Sequence, residues 1–202
     1  MFLTFEGIDG CGKTTQLQKL KTELEKRGVT VVCTREPGGT SLAEKLRDVL
    51  LHSRNPIVKN SELLLFGASR AQHVEEVIRP ALRDKQWVLC DRFIDSSEAY
   101  QGGGLGLDSA FIRQMNSFAT QGLLPEITFF FDLDPKIALQ RRAGEKGDRI
   151  EARGLAFQAK VRSAYLEIAA REDERFRMID ATKTPDEISK EIVDFLISID
   201  AI

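Results

Sequence analysis

Gly7-Ile8-Asp9-Gly10-Cys11-Gly12-Lys13-Thr14 fits the pattern G-x-x-x-x-G-K-[ST]. It stands between an apolar run, Phe2 to Phe5, and a run with Leu17, Leu20 and Leu24 on one helical face. A strand that feeds a glycine loop opening a helix is a phosphate cradle. The glycines let the backbone curl until its N–H groups point inward at a phosphate, and the helix beginning near Gly12 adds the positive end of its dipole. Lys13 is placed to span the β- and γ-phosphates, and the Thr14 hydroxyl to ligate Mg²⁺. The expected ligand is ATP or GTP with Mg²⁺. A guanine reader of the form N-K-x-D or T-K-x-D is missing, because Thr182-Lys183-Thr184-Pro185 has proline where the aspartate belongs, so ATP is preferred.

On either side of this loop, short β-rich runs alternate with longer runs of helical period, the order of βαβ units around a parallel sheet. Strands are expected at Phe2 to Phe5, Val29 to Cys33, Trp87 to Cys90, Ile127 to Asp132 and Phe176 to Ile179. Leu64, Ala68, Ala71 and Ile78 mark one inward helix face, and Phe111, Met115 and Phe118 another that stops before Gly122. Asp134-Pro135 reads as an N-cap with proline at the first helical position, and Thr184 to Glu187 as a capping box opening the last helix. The predicted fold is α/β, a P-loop NTPase three-layer arrangement of five parallel strands between helices. It forms a single domain over 1–202. Gln101 to Gly106 and a lid segment at about 142–153, which contains Arg142, Glu145, Lys146, Asp148, Arg149, Glu151 and Arg153, read as mobile loops.

Composition narrows the chemistry. With 29 Lys and Arg against 31 Asp and Glu, the net charge is −2. No basic excess marks a nucleic-acid or membrane-surface partner. No signal segment or long apolar run is evident, which predicts a soluble, cytoplasmic protein. Three cysteines without a C-x-x-C pair offer neither a disulfide framework nor a zinc site. His52 and His73, the only histidines, read as surface or helix-face residues. The third strand ends Cys90-Asp91-Arg92-Phe93, an acid followed at once by a cation, which suits Mg²⁺ beside a phosphate in transit to another molecule.

Seven strings in order resemble thymidylate kinases of the bacterial type: GIDGCGKTT (Gly7 to Thr15), TREPGGT (Thr34 to Thr40), LFGASR (Leu65 to Arg70), DRF (Asp91 to Phe93), YQGGG (Tyr100 to Gly104), DRIE (Asp148 to Glu151) and DAT (Asp180 to Thr182). The resemblance runs over nearly the whole chain and implies phosphoryl transfer from ATP to dTMP, with Mg²⁺, in a homodimer. It places ATP on Gly7, Gly10, Cys11, Gly12, Lys13, Thr14 and Thr15, with Arg141 stacked on adenine and Ala181 at the base edge. On the acceptor side it implies Asp9 at the 3′-hydroxyl, Phe66 stacked on thymine, and Arg70 donating to thymine O4. Ser96, Tyr100 and Gln101 would line base and ribose, and Arg35, Glu36 and Pro37 form the acceptor loop. Arg92 and Asp91 resemble the phosphate-bridging pair, and Arg47 is a candidate phosphate contact.

A monophosphate is already anionic at pH 7, so no general base is needed and positioning with charge neutralisation is expected to carry the rate. The cradle positions Ile8 to Cys11 hold no cation, so the lid must supply one. Arg149 is the expected residue, with Arg153 and Arg142 behind it, and Lys13, Arg92 and Asp91 complete the catalytic set. The helix carrying Phe66, Ala71 and Val74 is the expected dimer face. Two other functions fit the cradle: a deoxynucleoside kinase using Glu36 as base, and an ATPase module that transfers phosphate to no nucleotide.

Overall fold

In the computed structural model β1 (Phe2–Glu6), β2 (Val31–Arg35), β3 (Trp87–Asp91), β4 (Ile127–Asp132) and β5 (Phe176–Asp180) form one sheet. The order is β2-β3-β1-β4-β5 and every pairing is parallel. The structure describes residues 1–144 and 147–202, so Glu145 and Lys146 of the expected lid lie outside the described residues. The helices are α1 (Lys13–Lys26), α2 (Ser41–His52), α3 (Lys59–His73), α4 (Arg79–Arg83), α5 (Ile94–Ser97), α6 (Ser109–Thr120), α7 (Pro135–Arg141), α8 (Leu155–Arg171) and α9 (Pro185–Ser198). Among the described residues no helix is long and apolar enough to cross a membrane.

The central strands are buried on both faces, as parallel strands under helices must be. Phe5 of β1 meets Phe129 and Phe131 of β4 with ring centroids 5.7 and 6.0 Å apart. Leu17, Leu20 and Leu24 of α1 are buried, as their spacing predicts. Both expected caps form: the Asp134 carboxylate accepts the Lys136 N–H at 2.7 Å, and Thr184 and Glu187 exchange the two bonds of a capping box. Strand β2 starts two residues later than expected. Gly28, with φ 80°, reverses the chain after α1, and the Val29 N–H still caps that helix on the Leu24 carbonyl at 3.0 Å.

Three expectations fail in ways that shape the site. Of the expected loop Gln101 to Gly106 only Leu105 and Gly106 lie outside a helix, because Glu98–Gly104 is a π-helical turn packed against α8. Its glycines serve close approach, since a Cβ at Gly103 would lie 2.3 Å from the Ala164 Cβ and one at Gly104 2.5 Å from the Phe157 ring. Within the lid, Glu151–Arg153 is a 3₁₀ turn rather than a loop. Helices α3 and α6 are also turned over relative to their apolar spacing. Ile78 is buried as expected and Ala71 and Met115 are half-buried, but Leu64, Ala68, Phe111 and Phe118 face outward, while Glu62, Ser69, Arg70 and His73 of α3 and Asn116 of α6 face inward. His73 is thus a buried residue rather than a surface one, with Nε2 on the Thr34 hydroxyl at 2.6 Å and Nδ1 on Glu36 at 3.0 Å. Val74, on the expected dimer face, is completely buried in the core of the same chain.

Candidate active site

Ligands of open α/β sheets bind beyond the carboxyl ends of the strands, and that edge here carries the phosphate cradle, the start of the Glu36-Pro37 loop, Arg92 and Asp132. In the cradle, Gly7, Gly10 and Gly12 hold φ of 142°, 85° and 92°, a left-handed region that side chains rarely enter. A Cβ at Gly7 would stand 2.7 Å from the Phe131 carbonyl oxygen. Cys11 is buried beneath the loop, Gly12 caps α1, and Thr14 and Thr15 are exposed on its first turn. The Lys13 ammonium folds back over the loop, 3.4 Å from the Ile8 carbonyl and 3.5 Å from an Asp9 oxygen. The Thr14 hydroxyl donates to Asp91 at 2.6 Å, so the two expected metal ligands stand together. Among the described residues no three or more acids, histidines or cysteines cluster as a metal cage.

Beside the cradle lies a cavity of about 140 Å³ whose lining includes Asp9, Glu36, Pro37, Arg47, Phe66, Arg92, Ser96, Ser97, Tyr100 and Gln101, with Asp148, Ile150 and Glu151 from the lid. Arg92 is its pivot. The guanidinium donates to Asp9 at 2.6 Å, to the Tyr100 hydroxyl at 3.1 Å and to the Ser96 hydroxyl at 3.3 Å. It also lies over the Tyr100 ring, 5.0 Å from its centroid. Burial alone would raise the Asp9 carboxyl, but Arg92 and then Lys13 hold it well below the usual carboxylate range. Arg47 donates to the Pro37 carbonyl at 2.8 Å, and burial together with the nearby Arg35 disfavours its charged form. Arg92 is paired with Asp9 and Arg35 with Glu44, whereas the Arg47 hydrogen bond goes to a neutral carbonyl, and an anion in the cavity would favour its charged form.

Arg70 is buried, 1% exposed, and does not itself line the cavity. Nε donates to Glu36 at 2.8 Å, Nη1 to the Ser97 hydroxyl at 3.0 Å and Asn116 at 2.6 Å, and Nη2 to the Phe93 carbonyl at 2.9 Å. A guanidinium has five donors, so these four bonds leave one. Glu36 is equally committed, with Oε2 on Arg70 and Oε1 on His73. A carboxylate so paired is poorly suited to act as a free base.

Arg149 and Arg153 do not hang over the cradle as unattached cations. Both guanidiniums are bound to Glu62 of α3, at 2.7 and 2.5 Å. The lid arginine that touches the cradle is Arg142, because a Cβ at Gly10 would meet its side-chain carbons at 3.0 Å. Its head group donates to Glu151 at 2.6 Å. Of the donor-side residues, Arg141 is exposed on the last turn of α7, and Ala181 is buried with its N–H on the Asp132 carbonyl at 3.0 Å. Neither lines the cavity.

Two site residues escape a reading of the sequence. Glu6 ends β1 directly before the cradle and accepts the Phe93 N–H at 2.6 Å, the Ser96 hydroxyl at 2.6 Å and the Tyr165 hydroxyl at 2.7 Å. An acid closing an apolar strand at a glycine loop was its only signal. Glu62 looks like an ordinary first-turn helix acid, and nothing local separates it from one.

The model of the thymidylate kinase family matches residues 5–192. The chain belongs to the thymidylate kinase family. Curated thymidylate kinases similar to it include that of Prosthecochloris aestuarii, 48% identical over 208 residues and covering 98% of this chain and 93% of the relative. That of Gloeobacter violaceus is 52% identical over 184 residues, covering 90% and 87%. The crystal structure of thymidylate kinase from Ehrlichia chaffeensis superposes with a TM-score of 0.79 at 38% identity, covering 97% of this chain and 98% of that one. The DRF, YQGGG and DRIE strings of the family likeness thus meet around one cavity, although they are spread over three separate elements.

Proposed function

We propose that this chain transfers the γ-phosphoryl group of ATP to the 5′-phosphate of dTMP, giving dTDP and ADP. The observation that carries the reading is the cavity beside the phosphate cradle that Arg47 and Arg92 both line, together with the aromatic side chains of Phe66 and Tyr100. The dTMP phosphate pairs with Arg92 and Arg47 next to Glu36 and Pro37. Asp9 takes the 3′-hydroxyl, and Tyr100 fills the space a 2′-hydroxyl would need. Thymine stacks on Phe66 near Ser96 and Gln101, and Arg70 offers O4 its one remaining N–H.

ATP phosphates lie on the N–H groups of Gly7 to Thr15, with Lys13 on the β- and γ-phosphates and the adenine between Arg141 and Ala181. The Thr14 hydroxyl and Asp91, a hard oxygen pair beside phosphate, fit Mg²⁺, which keeps few protein ligands. Bound there, the ion would neutralise phosphate charge. Arg92 orients the acceptor, Lys13 and the lid meet charge on the donor, and no side chain needs to remove a proton from a phosphate already ionised. Glu36, held by Arg70 and His73, disfavours the deoxynucleoside kinase alternative.

The same reading covers one kinase domain over 1–202 with its lid at about 142–153. It covers a cytoplasmic setting and small nucleotides, rather than nucleic acid or membrane, as partners. The protein pairs as a homodimer through the outward apolar residues of α3 and α6, not through the buried Val74 face. Lys13→Met tests the assignment. Lys13 packs over the cradle and not in the core, so the variant should melt like the parent and form no dTDP; a folded variant that still forms dTDP would contradict it.

A further inference from the structure

Glu62 has no exposed surface, yet it holds four hydrogen bonds from three places in the chain. Oε1 accepts from Gln101 Nε2 at 2.9 Å and Arg153 Nη1 at 3.1 Å. Oε2 accepts from Arg153 Nη2 at 2.5 Å and Arg149 Nη2 at 2.7 Å. A second tie lies alongside, where Arg149 donates from Nε to the Leu50 carbonyl at 2.8 Å and from its backbone to Leu51 at 3.3 Å. One carboxylate on α3 therefore meets both a residue lining the nucleotide cavity and two arginines of the lid. Burial would raise this carboxyl, but the bonds from Arg153, Gln101 and Arg149 outweigh it and keep Glu62 ionised.

Two consequences follow from donor and acceptor inventory. An ionised carboxylate only accepts, so Gln101 must turn its Nε2 toward Glu62. The atom left for the cavity is Oε1, an acceptor, which pairs with an N–H on a base edge and repels a bare ring nitrogen. Thymine carries N–H at N3, and cytosine a lone pair. A buried carboxylate stripped of its cations is costly, so Glu62 favours the lid position in which Arg149 and Arg153 reach it.

We propose that Glu62 is a positioning residue that couples base recognition to lid closure, fixing the Gln101 amide with its oxygen toward the base while anchoring Arg149 and Arg153. This rests on the placement of thymine beside Gln101 given above. The turn so gripped carries Glu151, which accepts from Arg142 at 2.6 Å, so it also engages the arginine that touches the cradle.

The test compares kcat and KM for dTMP and dCMP in the parent, Glu62→Gln and Gln101→Leu, with melting curves for each. The new amide of Glu62→Gln can donate to Gln101 Oε1 and turn Nε2 into the cavity. That variant should lose about tenfold or more in dTMP over dCMP preference and about tenfold or more in kcat. Gln101→Leu should lose the preference through a higher KM for dTMP, with a smaller loss of kcat than Glu62→Gln because the ties of Glu62 to Arg149 and Arg153 remain. A preference unchanged in Gln101→Leu overturns the placement of the base, and the coupling with it. A preference lost in Gln101→Leu but kept in Glu62→Gln overturns the role of Glu62 alone, as does a change in only one of the two Glu62→Gln readouts. Should Glu62→Gln not fold, Glu62→Asp keeps the charge but is one methylene too short for all its partners. It must lose preference or turnover by a similar factor, and no change in either overturns the proposal.

Discussion

Arg92 holds a backbone φ of 71°, in the left-handed region that a side chain enters at a cost of roughly 1–3 kcal/mol. Its bonds to Asp9, Ser96 and Tyr100 hold it there, and the conformation aims the guanidinium back across the cradle instead of along the strand. Glu6 underpins that loop through Phe93 and Ser96. Burial, and then the nearby Asp95, push its carboxyl from 4.5 up to about 7. The folded protein therefore keeps a proton that the unfolded chain releases above pH 4.5. Stability from this group is greatest below that pH and is lost as pH rises toward 7, by about 3 kcal/mol at most. Urea unfolding of parent and Glu6→Gln at pH 5 and pH 8 checks this. The parent should lose stability relative to the variant between the two, whereas a constant difference would show that Glu6 ionisation does not bear on folding.

At the scale of elements, the lid is joined to the body at both ends of its described part. Arg142 rests on Gly10 of the cradle, and Arg149 and Arg153 grip α3. We propose that Arg142, the lid arginine that touches the cradle, supplies the charge expected from Arg149. Arginines that meet a transferring phosphoryl group are worth ~10³-fold or more, but a structural ion pair only ~1 kcal/mol. Arg142→Ala should lower kcat by about two orders with dTMP KM nearly unchanged in steady-state assays; a loss under about fivefold would place the charge elsewhere. Strands β1 and β3 to β5 were legible because their apolar runs end in turn residues, and the caps of α7 and α9 because their chemistry is local. The inner faces of α3 and α6 were not. Apolar spacing points to whichever face is dry, and on these helices the inward face is built from Glu62, Arg70, His73 and Asn116, whose partners lie far away in sequence. The glycines of Glu98–Gly104 misled for a related reason, since they mark contact with α8 and not a turn.

On the whole molecule, the inversion leaves apolar residues of two touching helices in water. Leu64 is 57% exposed, Phe111 52% and Phe118 87%. Patches of this kind on neighbouring elements mark association surfaces. If the homodimer proposed above forms through this face, sedimentation at micromolar concentration should show a dimeric parent and a monomeric Phe118→Asp variant; a monomeric parent or an unchanged mass would contradict it. The proposed chemistry asks less than assembly does: one cavity must hold dTMP against the γ-phosphate of ATP. The direct measurement supplies γ-labelled ATP and Mg²⁺ with dTMP, thymidine, dCMP or the ribo analogue of dTMP, and resolves the labelled products. Label should pass to dTMP, yielding dTDP, with little on the ribo analogue or dCMP and none on thymidine. Label on thymidine, or released only as inorganic phosphate, would rule out transfer to dTMP in this cavity.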